Sequence, residues 1–178
     1  MGLDMYLYKT KRVEGLTSKD YREISSCVYE KEDELRAGAK LQDLLPEIKG
    51  AEIIQEAIAE RGTHIHWLSI LEEIGYWRKA NAIHGWFVQN CQDGIDECQL
   101  SDEVTEEKIK ELLKLCNEVL DGTKNPKRLL PTQSGFFFGS TNYDEWYLDD
   151  IKSTIDILSE VLENTDFETE IIFYNSSW

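Results

Sequence analysis

The sequence predicts an α+β fold, with helices packed on one face of a small mixed or antiparallel sheet and the N- and C-terminal strands paired. Three observations carry this. The chain opens on an alternating run, Leu3, Met5 and Leu7 against Asp4, Tyr6 and Tyr8; it closes on a second strand-like run; and long stretches between them place apolar residues at helical spacing. With 178 residues, 41% hydrophobic and 30% charged, the chain fits one ordered domain covering residues 1–178.

Taken in order, the first strand runs from Leu3 to Lys11. Residues 17–60 are helix-biased, with Thr17 or Ser18 as cap, a break at Ser25–Ser26 and the clearest helical piece at Glu52–Glu60; Val28 and Tyr29 also fit a short strand. The alternation in His64–Glu73 predicts a strand. Tyr76–Asn90 reads as a helix, because Trp77, Ala80, His84 and Phe87 fall at offsets of three and four, with Arg78, Asn81 and Gly85 projecting elsewhere. Thr105–Leu120 is a helix capped by Thr105, with Glu106 and Glu107 at its positive end, an apolar stripe of Ile109, Leu112, Cys116 and Val119, and Gly122 as its stop. Three phenylalanines between Gly135 and Gly139 predict a short buried strand. The last helix starts after Thr141 or Asn142 and ends near Asn164, with Leu148, Ile151, Ile155, Leu158 and Leu162 toward the core; Phe167–Asn175 is the closing strand.

The formal charge of −16 argues against direct binding of nucleic acid or an anionic membrane, and suits a basic protein partner. Four cysteines lack zinc spacing and are too few for a disulfide scaffold. The opening MGLDMYLYKTK has an acid at Asp4 and no long apolar core, so neither a signal peptide nor a membrane anchor is expected, and the expected location is the cytoplasm.

The acids are unevenly distributed. Ile74–Gln92 and Gly122–Tyr143 contain none, yet these 41 residues hold five basic side chains and eight of the 19 aromatic ones. The segregation predicts a cationic, aromatic-lined pocket. Its candidate ligand-binding residues are Tyr76, Trp77, Arg78, Lys79, Asn81, His84, Gln133, Ser134, Ser140 and Tyr143. Arg78 and Lys79 supply donors for a phosphate or carboxylate, Tyr76 or Trp77 a ring to stack on, and Asn81 an amide to read a base edge. His84 is the candidate acid or base, although its place in the Trp77 stripe equally suits a core-edge histidine. Ser140 and Thr141, ahead of a helix, suit an anion or a simple cap; the phosphate-loop lysine is missing. Asp93, Asp96 and Glu97 lack the calcium-loop series, so no metal ligand is assigned and no cofactor expected. No catalytic signature stands at a recognisable spacing.

The segments GLDMYLYK, EIGYWRKANAIHGWFV, LLPTQSGFFFGSTNYDEWY and NSSW resemble a family of small proteins common in bacteriophage and prophage genomes. The resemblance implies an accessory protein of the host cytoplasm, of the kind that blunts a host defence, and brings no catalytic residues with it. Thr17–Arg61 lies outside it.

Three functions follow as expectations. The first is binding of an anionic aromatic small molecule, nucleotide-like, in the cationic pocket. The second is an acidic inhibitor of a nucleic-acid-binding host effector, acting through Asp144, Glu145, Asp149, Asp150 and Asp156, in a region from Thr141 onward with ten acids and one lysine. The third is a phosphate-ester-processing enzyme with His84 as acid or base and an acidic pair holding metal.

Overall fold

The computed structural model describes residues 2–60 and 70–178, with the side chains of residues 58–60 left aside. The three strands among them are β1 (Asp4–Lys11), β2 (Glu72–Arg78) and β3 (Glu170–Ser177), which form an antiparallel sheet in the order β2-β1-β3. The helices are α1 (Ser18–Glu30), α2 (Glu32–Arg36), α3 (Leu41–Leu44), α4 (Ala51–Glu60), α5 (Asn81–Cys91), α6 (Glu106–Leu120), α7 (Pro126–Leu129) and α8 (Glu145–Asn164). The fold is α+β, and the terminal strands pair as the sequence predicts.

The chain divides into two compact units. One takes the chain up to Tyr8 with Glu73–Phe167 and Ile172–Trp178; the other takes Lys9–Glu72 with Glu168–Ile171. The second unit is built on helices α1 to α4. Thr17 caps α1 through a reciprocal pair with Asp20, the arrangement that satisfies two orphan donors of a helix start. The buried Tyr21 hydroxyl then donates to the Lys11 carbonyl and accepts from the Val13 amide, tying α1 to the chain that leaves β1. The helix runs unbroken through Ser25–Ser26 and includes Val28 and Tyr29, because Tyr21, Ile24 and Val28 recur at helical spacing and are buried together. Neither the expected break nor the short strand exists.

The first unit carries the larger core. Leu3, Met5 and Leu7 meet Trp77, Ile172 and Tyr174 on one side of the strands, and Ile83, Phe87, Ile109, Leu112, Ile151 and Leu158 bring α5, α6 and α8 onto them. Phe87 stacks on Tyr174 with ring centroids 4.3 Å apart. Helix α6 matches its sequence pattern, down to the Thr105 cap and the four-residue apolar stripe.

Tyr76, Trp77 and Arg78 lie on β2, not on a helix. Gly75 and Trp77 are buried while Tyr76 and Arg78 are exposed, which is the two-residue period of a strand. The helical spacing of Trp77, Ala80, His84 and Phe87 arises because a strand and a following helix present residues to the same core. Between them the chain turns through Lys79, whose φ of +62° places a side chain in the left-handed region that disfavours it. Of the expected strand His64–Glu73, residues 64–69 lie outside the described residues, and Glu72 and Glu73 begin β2.

Gly135–Gly139 is a turn and not a strand: the Phe138 amide returns to the Gly135 carbonyl, and Gly139 adopts a φ of +85°. Only Phe138 of the three phenylalanines is buried, and Phe136 is 95% exposed. The last helix is capped by Asp144, two or three residues later than expected, and its core side is Tyr147, Ile151, Thr154, Leu158 and Val161. Leu148 points outward as a result. The closing strand likewise starts at Glu170, after a turn through 167–169.

Candidate functional site

The ends of β2, α5 and α8 converge, within the first unit, on a pocket of about 350 Å3. Arg78 and Lys79 stand on one wall, the first turn of α5 forms another, Ser140 and Asn142 come from the loop after Gly139, and Asp144, Trp146 and Asp150 come from the start of α8. The volume falls in the range of roughly 300–1,000 Å3 typical of small-molecule sites.

Local chemistry explains how each wall is held. Lys79 donates its amide to Leu3 and accepts from the Asn81 amide, which fixes the left-handed turn. Asn81 is 5% exposed and spends its whole side chain on the neighbouring loop: Nδ2 donates to the Phe138 and Ser140 carbonyls at 2.9 and 2.8 Å, and Oδ1 accepts from the Gln133 amide at 3.0 Å. It positions the pocket wall and has no free donor left to read a ligand. Gly85 admits the Gln133 side chain; a Cβ there would fall 2.6 Å from Gln133 Cγ.

Electrostatically the pocket is anomalous for so acidic a chain. Helix α5 has Ala80 at its cap position, with no side-chain cap and no acid in its first turn, whereas α6 and α8 each carry a capping oxygen and acids. First-turn amides without a cap make the positive end of a helix available to an anion. Among the described residues neither Arg78 nor Lys79 forms an ion pair, so two cations stand beside that helix end unneutralised.

The acids across the pocket differ in state. Asp144 spends Oδ1 on the Tyr147 amide as the α8 cap. Asp150 is half-buried, and burial, reinforced by the Asp149 and Asp144 charges, pushes its carboxyl up to about 6. A raised acid pKa means that the folded chain holds the proton more tightly than the unfolded one. Stability therefore falls as pH rises from the ordinary carboxylate range through about 6, and the penalty is fully present above it.

Of the residues expected from the sequence, Arg78, Lys79, Asn81 and Ser140 come together at this pocket. The Ser140 hydroxyl accepts from the Asn142 amide. The others lie elsewhere. Tyr76 is exposed, packs at a tilt against Tyr6 with ring centroids 5.3 Å apart and donates to Asp4. Trp77 is buried and donates Nε1 to Thr154 at 2.9 Å. Gln133 lines a separate cavity of about 170 Å3 with Trp86 and Gln89, Ser134 is exposed, and Tyr143 accepts from the Thr132 amide beneath Lys127.

His84 is 1% exposed and away from the pocket. Its Nδ1 lies 2.8 Å from the Tyr174 hydroxyl and its Nε2 3.1 Å from Asp96, while Asp96 also accepts from the Trp178 indole. The chain of carboxylate, imidazole and phenol resembles a catalytic relay, but it ends on a phenol that is fully buried and whose pKa burial drives well above 10. In this arrangement His84 is a cross-link joining α5, the 92–97 turn and β3. Burial also pushes Cys91 up to about 11 and Cys116 up to about 12, which leaves both as thiols near neutral pH.

The acidic face splits. Glu145, Asp149 and Asp156 are exposed on α8, with Lys152 paired to Asp149 at 2.9 Å, whereas Asp144 and Asp150 belong to the pocket. Asp96 serves His84, and among the described residues no group of three His, Cys, Asp or Glu is placed to hold a metal ion. None of their helices is long and apolar enough to cross a membrane.

Sequence reasoning missed Trp146 and assigned Asp144 and Asp150 to an acidic partner-binding face, whereas both line the pocket. The tryptophan is 78% exposed at the pocket. Its signal lay in the helix pattern: Tyr147, Ile151, Thr154, Leu158 and Val161 form the buried stripe, so a tryptophan one position earlier falls outside it. No family model, no curated protein and no solved structure was found to match the chain.

Proposed function

We propose that this protein binds a small anionic aromatic molecule, a nucleotide or close relative, in the pocket between β2, α5 and α8. The observation that carries the reading is the meeting of two unpaired cations, an uncapped helix start and an exposed tryptophan around one cavity. The phosphate sits against Arg78, Lys79 and the start of α5, where the Ala82 and Ile83 amides follow the Asn81 amide already spent on Lys79 and the helix dipole adds to the two cations. The ring stacks on Trp146, which takes the role that the sequence assigned to Tyr76 or Trp77. Asn81 acts indirectly, by holding the loop that carries Ser140. The phage-type setting, supported by the sequence resemblance alone, makes removal of such a molecule from a host defence the corresponding role.

Titration calorimetry with guanosine and adenosine monophosphates tests the proposal. Binding is expected, weakened about tenfold by Arg78→Ala and by Trp146→Ala. Heats absent for both nucleotides, or affinities indifferent to both substitutions, contradict it.

A further inference from the structure

Which aromatic group the pocket takes is decided by what remains unspent on its walls. The Ser140 hydroxyl accepts from the Asn142 backbone amide, Asp144 spends Oδ1 on the α8 cap, the Asn81 side chain is used up, and the Thr132 hydroxyl donates to the Thr141 carbonyl. This leaves the Asn142 carboxamide and the Asp150 carboxylate as the open polar groups, with the Ser140 O–H and Asp144 Oδ2. Among the described residues the Asp150 carboxylate makes no hydrogen bond, although its own carbonyl accepts from Thr154. A half-buried carboxylate with two open oxygens accepts and, once ionised, cannot donate.

Its position matters as much as its state. Asp150 follows Trp146 by four residues on α8, so the two side chains neighbour each other on one helix face, with roughly 5–6 Å between their Cβ atoms. Both line the same cavity. A planar ring laid on the indole therefore brings one edge over the carboxylate, while a phosphate on the same molecule reaches toward Arg78 and Lys79.

Resting on the nucleotide-binding reading above, we infer that the pocket selects guanine nucleotides, the Asp150 carboxylate accepting from the ring N1–H and the exocyclic amino group of a base stacked on Trp146. Adjacent N–H donors match the two oxygens of a carboxylate in the fork geometry that makes such pairs strong. Adenine offers an amino group beside an acceptor nitrogen, so one carboxylate oxygen meets a lone pair. Hypoxanthine keeps the N1–H and lacks the amino group. The order of affinity is therefore guanine, then hypoxanthine, then adenine, and a site built to satisfy donors rejects the ring that lacks them.

The charges acting on Asp150 are Asp149 on its own helix and Asp144 at the cap, which hold its proton on; Arg78 and Lys79 line the same cavity. Donors brought by guanine favour the ionised carboxylate, so binding releases a proton in the empty pocket's titration range, around pH 6. The ligand's own phosphate also titrates near pH 6. That effect is common to all monophosphates and cancels in a ratio of affinities.

Calorimetry with guanosine, inosine and adenosine monophosphates at pH 7.5 and pH 5, on the wild-type chain and Asp150→Asn, is the test. Asp150→Asn breaks no hydrogen bond and removes a charge that burial and its neighbours disfavour, so the variant folds. The expected result is a guanosine preference over adenosine of about tenfold or more at pH 7.5, with inosine between them. The preference shrinks at pH 5 and disappears or reverses in Asp150→Asn, because guanosine loses its carboxylate acceptor while the new carboxamide donates to the adenine ring nitrogen and raises adenosine affinity. Equal affinities at pH 7.5, all weakened by Arg78→Ala, overturn the guanine inference and leave nucleotide binding standing. A preference that survives Asp150→Asn overturns the role of Asp150. Binding of none of the three overturns both.

Discussion

Asn81→Ala is expected to destabilise the protein by about 2–4 kcal/mol, because three hydrogen bonds to buried or half-buried backbone are lost and the groups they served are left unsatisfied. The affected groups all lie between Gln133 and Ser140, a segment without helix or strand of its own. Besides Asn81, this segment is held by the Leu3 amide donating to the Phe137 carbonyl. The loss therefore appears both as a lowered urea midpoint and as faster hydrogen exchange at the Leu3 amide. Asn81→Asp separates hydrogen bonding from volume. It keeps the acceptor for Gln133 but turns a charge toward two carbonyls, so it is expected to be at least as damaging as alanine. A midpoint within error of wild type for both variants contradicts the account of this residue.

Trp77→Ala carries the largest expected cost, about 3–5 kcal/mol. Trp77 is 3% exposed, packs near Phe87 with ring centroids 6.0 Å apart and donates to Thr154, itself bonded to the Asp150 carbonyl a turn earlier. Trp77→Phe keeps most of the packing and loses only the indole donor, so a cost of about 1–2 kcal/mol is expected from denaturant unfolding. Were Trp77 a ligand-stacking residue, as the sequence suggested, alanine would change binding with little effect on stability. The burial of Trp77 predicts the reverse, a large loss of stability, and under the proposed reading Trp146 is the residue whose removal weakens binding alone.

Strand β1 and helices α6 and α8 were legible because each has one dry and one wet side, and a single period describes it, whereas β3 buries Ile171 to Tyr174 in a row and was legible as a short apolar run. The segment from Tyr76 to Ala80 defeats that logic. Trp77 from β2 and His84 and Phe87 from α5 share one core, so their spacing imitates a single helix, while the left-handed Lys79 that separates them has no glycine to announce it. The three phenylalanines read as a strand by composition, yet no strand pairs with them, and tertiary packing takes only Phe138 inside.

The absence of acids located half of the pocket. Arg78, Lys79, Asn81 and Ser140 all come from the acid-free segments. Asp144, Trp146 and Asp150 come from just past the second one, among acids that looked like a uniform negative face. A sequence counts charges along the chain and does not show which side of α8 each occupies. On the folded helix Asp150 shares its side with Trp146, and Glu145 and Asp149 belong to the solvent.

Backbone amide shift mapping by NMR during titration with guanosine monophosphate tests the central claim most directly, since it reports where the ligand sits regardless of affinity. The expected changes cluster at Arg78–Ile83, at Ser140 and Asn142 and at Trp146, including its indole N–H. Changes confined to residues outside that pocket, or none at saturating nucleotide, contradict the account.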